Sequence, residues 1–277
     1  MLPQFSRRIL EKPVVFGQID FVNCLPITLP LKAHLPELMT LAMGTPGELN
    51  QRYKQGDLDI GAMSAHYLLS AADFDLIDTL SISSLGAVGS VFFFSRLPLA
   101  QLNGKTVGLP RSSATSISLL KVLLTEEFDV SPNYQTSDDP NPFDGAYDAC
   151  LMIGDAALAF DQRLNVSGSE LIRVDMGEWW TRRYQLPMVF GVWGARKSYI
   201  DNNNKDFEVI RELLGATWQE GLTALYQEVI AEGLRRTGLS FETMDDYFQR
   251  QLDFSFGEEH KKGLNLFETL CKRHGLL

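Results

Sequence analysis

The chain has 277 residues, 45% of them apolar and 22% charged, with 35 acidic against 25 basic side chains and a formal net charge of −10. That length buries a sizeable core, as one large domain or two small ones. The acidic balance argues against nucleic acid as a main partner, because phosphate binding needs a basic patch; it leaves room for a small anion held by the local field of a cleft.

From the N-terminus, "MLPQFSRRILEKPVVF" carries Arg7 and Arg8, but Glu11, Lys12 and Pro13 interrupt any apolar run after them. That is not the pattern of a secretory leader. No window has the roughly 20 apolar residues of a membrane span, so a cytoplasmic protein is expected, with no membrane partner. Short apolar runs then read as strands: Val14–Ile19, Leu41–Gly44, Ile60–Ser64, Val88–Phe94, Thr106–Leu109, Cys150–Ile153 and Val189–Trp193. Helical patterns fall between them at Pro46–Gln55, His66–Ala72, Ser113–Phe128, Asp155–Arg163 and Gly177–Tyr184, and almost everything from Lys205 on is helical. Alternation of this kind predicts an α/β fold with mostly parallel, buried strands.

Two runs, "VGSVFFFSR" (Val88–Arg96) and "PMVFGVWGARK" (Pro187–Lys197), are longer and more apolar than the rest, and the segment between them has its own strand–helix alternation. They predict two lobes joined by two crossovers. Residues 1–95 with 190–277 form the first lobe, and residues 96–189 the second. A cleft between lobes, at the carboxyl ends of parallel strands, is a favoured ligand site.

The loops that would face such a cleft are rich in hydroxyls, amides and glycines and poor in bases. Asp20, Asn23 and Cys24 end the first strand; Ser81–Ser90 packs serines around a turn; "LPRSSATS" opens the Ser113 helix; "IGDAAL" puts Gly154 and Asp155 at a helix start. Helix N-termini and neutral donors of this kind hold carboxylates or phosphates without a formal cation. Simpler roles compete. Ser113 and Asp155 are typical caps, Cys24 suits a small buried apolar position, His66 suits a helix start, and the tryptophans suit a core. The three cysteines and four histidines are scattered, with no disulfide or zinc spacing, and no Gly-rich phosphate signature occurs, so neither a metal nor a cofactor is expected.

Taken together, "GQIDFVNCLPI", "GTPGELNQRYKQGDLDIGAMSAHYLL", "SISSLGAVGSVFFFS", "LNGKTVGLPRSSATSISLLKVLL", "CLMIGDAAL" and "LPMVFGVWGARK" run in an order that resembles the chorismate dehydratases of the futalosine route to menaquinone. The likeness covers about residues 14 to 197 and continues loosely through the helical tail. It implies a fold like the type II periplasmic binding proteins and a hydro-lyase that turns chorismate into 3-[(1-carboxyvinyl)oxy]benzoate and water. Phe21-Val22 stands where the family more often has Tyr-Leu, which leaves Asn23 in place. On this resemblance Asn23 and Ser90 serve catalysis by orienting the ring and the leaving hydroxyl. Ser83, Ser84, Ser113, Ala114, Thr115, Gly154 and Asp155 would bind the substrate. The proton acceptor is left between the substrate's own enolpyruvyl carboxylate and a protein base at Asp155 or His66. The resemblance does not fix the oligomeric state.

A small-anion solute-binding protein shares the architecture, as does the sensing domain of a transcription regulator. The leader-free N-terminus and unpaired cysteine spacing count against the first. The negative charge counts against the second. Fold alone does not decide between them.

Overall fold

The computed structural model describes residues 9–138, 141, 145–167 and 171–277. The N-terminal residues 1–8, with Arg7 and Arg8, lie outside them. Among the described residues, ten strands form two five-stranded sheets.

The first sheet begins with β1 (Ile9–Ile19), which a short 3₁₀ turn at Val22–Cys24 joins to helix α1 (Leu25–Ala33). Strand β2 (Glu37–Gly44), helix α2 (Pro46–Gln55), strand β3 (Ile60–Ser64), helix α3 (Ala65–Ser70) and strand β4 (Phe74–Ser84) follow. The second sheet holds β5 (Val91–Ser95), β6 (Thr106–Pro110) and, after helix α4 (Ala114–Phe128), β7 (Asn133–Ser137). Strand β8 (Ala149–Ile153), helix α5 (Gly154–Ser167), strand β9 (Ile172–Asp175) and helix α6 (Met176–Tyr184) complete it. Strand β10 (Met188–Arg196) rejoins the first sheet. The tail is α7 (Lys197–Asn202), α8 (Asn204–Gly221), α9 (Tyr226–Thr237), α10 (Phe241–Asp246), a π-helical turn at Tyr247–Gln251, and α11 (Glu258–Arg273).

The sheet orders are β2-β1-β3-β10-β4 and β7-β6-β8-β5-β9. In each, the fourth strand in spatial order runs against the other four. Those two strands are the long apolar runs of the sequence. Each is the first strand laid down after the chain passes from one sheet to the other, and each is buried by neighbours on both edges. Val91–Ser95 therefore sit in the second sheet, although the sequence reading groups residues up to 95 with the first. The expected start at Val88 moves to Val91 because Gly86 and Gly89 take positive φ, +124° and +68°, and turn the chain before pairing begins.

Strand β4 was not expected, because its polar serines read as a turn. It forms because its edge is zipped to the tail. Ser81 N–H donates to Phe254 O (3.0 Å), Ser83 N–H to Asp253 O (3.0 Å), and Asp253 N–H back to Ser83 O (2.8 Å). The covered edge satisfies backbone groups that an open strand would expose.

The tail packs chiefly on the first sheet, with α8 on α1 and β4 and α11 on β10; α9 also meets α5, and α11 meets α4. His274 Nε2 reaches Glu126 Oε1 at 2.7 Å, fastening the last helix to α4. Trp179, Trp180 and Trp193 are buried, as a core role predicts. Fully burying side chains of this size contributes roughly 1.5–3 kcal/mol each. Among the described residues, no helix is long and apolar enough to cross a membrane.

Candidate active site

The strand ends converge between the two sheets. Asn23 arrives on the 3₁₀ turn after β1, Ser64 at the end of β3, Ser90 just before β5, Ser113 ahead of α4, and Gly154 at the start of α5. These residues line one inner cavity of about 50 Å³ together with Cys24, Ser116 and an apolar wall that includes Phe21, Ile153 and Phe190. Because β5 runs opposite to its neighbours, its beginning lies at the same end of the sheet as the ends of the parallel strands. That is why Ser90 joins the others.

Two features mark this cavity as a place for a ligand. Asn23 Oδ1 is buried and has no hydrogen-bond partner among the described residues, a costly state for a polar atom that nothing else satisfies. Ser90 Oγ makes a long hydrogen bond to its own loop, 3.5 Å to Val88 O. Other hydroxyls around it are more committed. Ser113 Oγ donates to Ser116 Oγ (2.8 Å) and accepts from Ser116 N–H (3.3 Å). Ser64 Oγ accepts from Tyr67 N–H (3.1 Å) and Asn50 Nδ2 (3.0 Å).

The remaining nominated residues have other work. Ser83 is fully buried and its hydroxyl donates to Asp253 O at 2.9 Å; Ser84 Oγ donates to Gly86 O at 3.2 Å. Neither is brought to the cavity, because the edge pairing of β4 turns both into parts of the fold. Thr115 Oγ1 accepts the backbone N–H of His66 at 3.0 Å, a bond from the second sheet's α4 to the first sheet's α3. Ala114 is the first residue of α4 and only partly buried. Asp155 Oδ1 accepts Val22 N–H at 2.9 Å, a second bond across the same gap. His66 is not at the cavity either: its Nε2 meets Leu276 O at 2.7 Å, so the C-terminal segment holds the imidazole.

Electrostatics sort the reactive-looking groups. Burial pushes the Cys24 thiol far up, with the carboxylates of Asp155 and Asp20 adding to it, so Cys24 stays a neutral thiol and is no nucleophile. Burial also raises Asp155, against the Val22 N–H and Arg236. Asp20 pairs with Arg236, which also meets Glu232 Oε1 at 3.1 Å.

Outside the inner cavity lies a cleft of about 1070 Å³ lined by Asp20, Thr45, Glu48, Arg111 and Asp155 among others. It is the larger space, but its polar groups are more fully engaged. Arg111 pairs with Asp138 (2.9 Å), and Glu48 accepts Thr45 N–H (2.7 Å) in the cap of α2. Phe21 and Ile153 belong to both spaces. The Phe21 ring lies 3.4 Å from where a Cβ on Gly154 would sit, so this glycine, at φ +62°, lets the ring close over the junction. Sequence reasoning missed Phe21 and Ser116 as wall residues. The bulky aromatic beside Asn23 was the available signal.

Known proteins resemble this chain in sequence and in fold. A family described as menaquinone biosynthesis matches residues 14–273. Chorismate dehydratase of Thermus thermophilus is 28% identical over 268 residues, 92% of this chain and 94% of that protein. A crystal structure of an Archaeoglobus fulgidus protein superposes with TM-score 0.72 at 14% identity, covering 96% of this chain and 98% of that one. The alkanesulfonate-binding protein of Xanthomonas axonopodis pv. citri, bound to MOPS, superposes with TM-score 0.64 at 14% identity, covering 97% and 95%. The two-lobed α/β architecture is thus that of the periplasmic binding proteins, and the chain belongs to the menaquinone biosynthesis family.

Proposed function

We propose that the chain is a cytoplasmic hydro-lyase that converts chorismate to 3-[(1-carboxyvinyl)oxy]benzoate and water. The observation that carries this reading is Asn23 Oδ1, buried and unpartnered in a cavity whose other polar lining is neutral. Family membership and the Thermus relative supply the substrate.

The reaction removes a ring C–H proton and the neighbouring hydroxyl, and aromaticity makes it strongly downhill. Such a reaction needs orientation more than it needs a potent base. Asn23 would fix the substrate's ring, and Ser90 would donate to the departing hydroxyl. The N-terminus of α4, at Ser113, Ala114 and Thr115, would hold a carboxylate through its backbone N–H groups and dipole. The ring proton would go to the substrate's enolpyruvyl carboxylate, because His66 is bound to Leu276 and Cys24 is held neutral, and from there to the departing oxygen, which leaves as water. Asp155 is the protein-base alternative, being buried with a raised carboxyl.

An inner cavity of about 50 Å³ is far below the roughly 300–1,000 Å³ of small-molecule sites. Substrate entry therefore requires the lobes to part, breaking the Val22–Asp155 and His66–Thr115 bonds, or Phe21 to swing into the outer cleft. The test is incubation of the purified protein with chorismate, followed by chromatography and mass measurement. A product lighter by one water supports the reading. Thermal stabilisation by chorismate without any product instead identifies a solute-binding protein, the second reading that the binding-protein architecture favours.

A further inference from the structure

Behind the cavity wall, the π-helical turn at Tyr247–Gln251 delivers a tyrosine that the sequence did not single out. Tyr247 is 1% exposed, and its hydroxyl is buried without a hydrogen-bond partner among the described residues. An unpaired phenol in a packed interior needs a reason, and π turns are frequent at functional sites. The loop leading to Ser90 is threaded directly against this turn. A Cβ on Gly89 would lie 3.3 Å from the Tyr247 ring and 1.7 Å from Gln251 Oε1, so only glycine permits the approach. Asp175 pins that loop from the other side by accepting Val88 N–H (3.0 Å) and Gly89 N–H (2.8 Å). Burial pushes the phenol well above its usual value, the Ser90 hydroxyl beside it pulls the other way, and Asp155, Cys24 and Asp175 push it up again. The group therefore stays a neutral O–H donor at every working pH.

We infer that Tyr247 is a positioning residue for the dehydration: once substrate is bound, its phenol, unpartnered in the ligand-free fold, donates to Ser90 Oγ and so turns the Ser90 O–H toward the substrate's leaving hydroxyl. A hydroxyl that accepts one hydrogen bond is polarised into a better donor for the next. Ser90 has no other strong acceptor role to compete, its loop contact being the 3.5 Å one to Val88 O. The chain of donors, Tyr247 to Ser90 to substrate, transfers no net proton to the protein; it stabilises negative charge building on the departing oxygen. This inference rests on the proposed dehydratase reading and on Ser90 facing the substrate.

The test compares wild type, Tyr247→Phe, Ser90→Ala and the double variant in chorismate turnover and thermal melting. Tyr247→Phe is expected to lower kcat about tenfold with KM within about twofold, and Ser90→Ala about a hundredfold. In the double variant the tyrosine change should add nothing to the loss from Ser90→Ala, because the phenol acts only through Ser90. The melting temperature of the ligand-free Tyr247→Phe variant should equal or exceed that of wild type, since without substrate the hydroxyl removed has no partner among the described residues. A kcat for Tyr247→Phe within twofold of wild type, a fully additive double variant, or a melting temperature several degrees lower each overturns the inference while leaving the dehydratase reading intact. A wild-type protein that leaves chorismate unchanged overturns both.

Discussion

Ser83 and Ser90 lie on either side of one turn and look interchangeable in the sequence, yet they meet opposite fates. Ser83 is drawn into the edge of β4, where its backbone and hydroxyl both bond to Asp253. Ser90 comes after Gly86 and Gly89 have turned the chain, and its hydroxyl is left facing the cavity with one long contact. The difference teaches that a site is recognised by hydrogen-bonding capacity left unspent, not by residue type. Asn23 is the extreme case, its amide oxygen buried and without a hydrogen-bond partner among the described residues.

The largest expected effect breaks the comparison at Asn23. Asn23→Asp keeps the shape, loses the amide donors and sets a carboxylate among Cys24, Asp155 and a dicarboxylate substrate. Turnover of chorismate, measured as kcat/KM, should fall by about a hundredfold or more. Turnover at the wild-type level would remove Asn23 from the mechanism.

The comparison itself is sharpened by a matched pair. Ser90→Ala should lower kcat about a hundredfold and leave the melting temperature within a degree or so. Ser83→Ala should do the reverse: kcat within about threefold, and a stability loss of about 1 kcal/mol from the broken buried hydrogen bond. In a chain of this size that is a melting shift of about 2–4 °C. Equal kinetic losses from both variants would mean that the β4 edge, and not the Ser90 hydroxyl, carries the effect.

Much of the architecture was legible because it is written locally. The apolar runs of β5 and β10 announced themselves as the chain's two passages, and the Ser113 cap and the face of α4 followed from spacing. What was not legible depends on partners distant in sequence. β4 exists as a strand because residues 253–255 zip its edge, and those residues sit in a tail with no motif. Likewise nothing local tells that His66 is taken by Leu276, that Thr115 is taken by the His66 backbone, or that Tyr247 lies behind Ser90. At the site, Asn23 and Ser90 were named on the family resemblance, and both line the inner cavity. Ser83 and Ser84 were indistinguishable from them until the fold showed where their bonds go.

The smallest expected effect separates the two candidate proton acceptors. Asp155 carries an upward-shifted carboxyl, chiefly from burial, and its Oδ1 holds the Val22 N–H across the lobes. Asp155→Asn retains an acceptor oxygen for that bond and removes the charge. If the substrate's own carboxylate takes the proton, kcat should stay within about threefold and the pH–rate profile should keep its shape; a loss of a hundredfold, with the disappearance of an acidic limb, would make Asp155 the base. Stability supplies an independent check with a definite sign. A carboxyl whose folded pKa is raised binds its proton more tightly in the native state than in the unfolded chain, so its contribution grows as pH falls through the folded pKa toward the unfolded value and is lost as pH rises again. The melting temperature of wild type should therefore climb relative to Asp155→Asn on acidification from neutral pH. The opposite trend would mean that attraction to Arg236 outweighs burial, and that Asp155 is held ionised as a latch between the lobes.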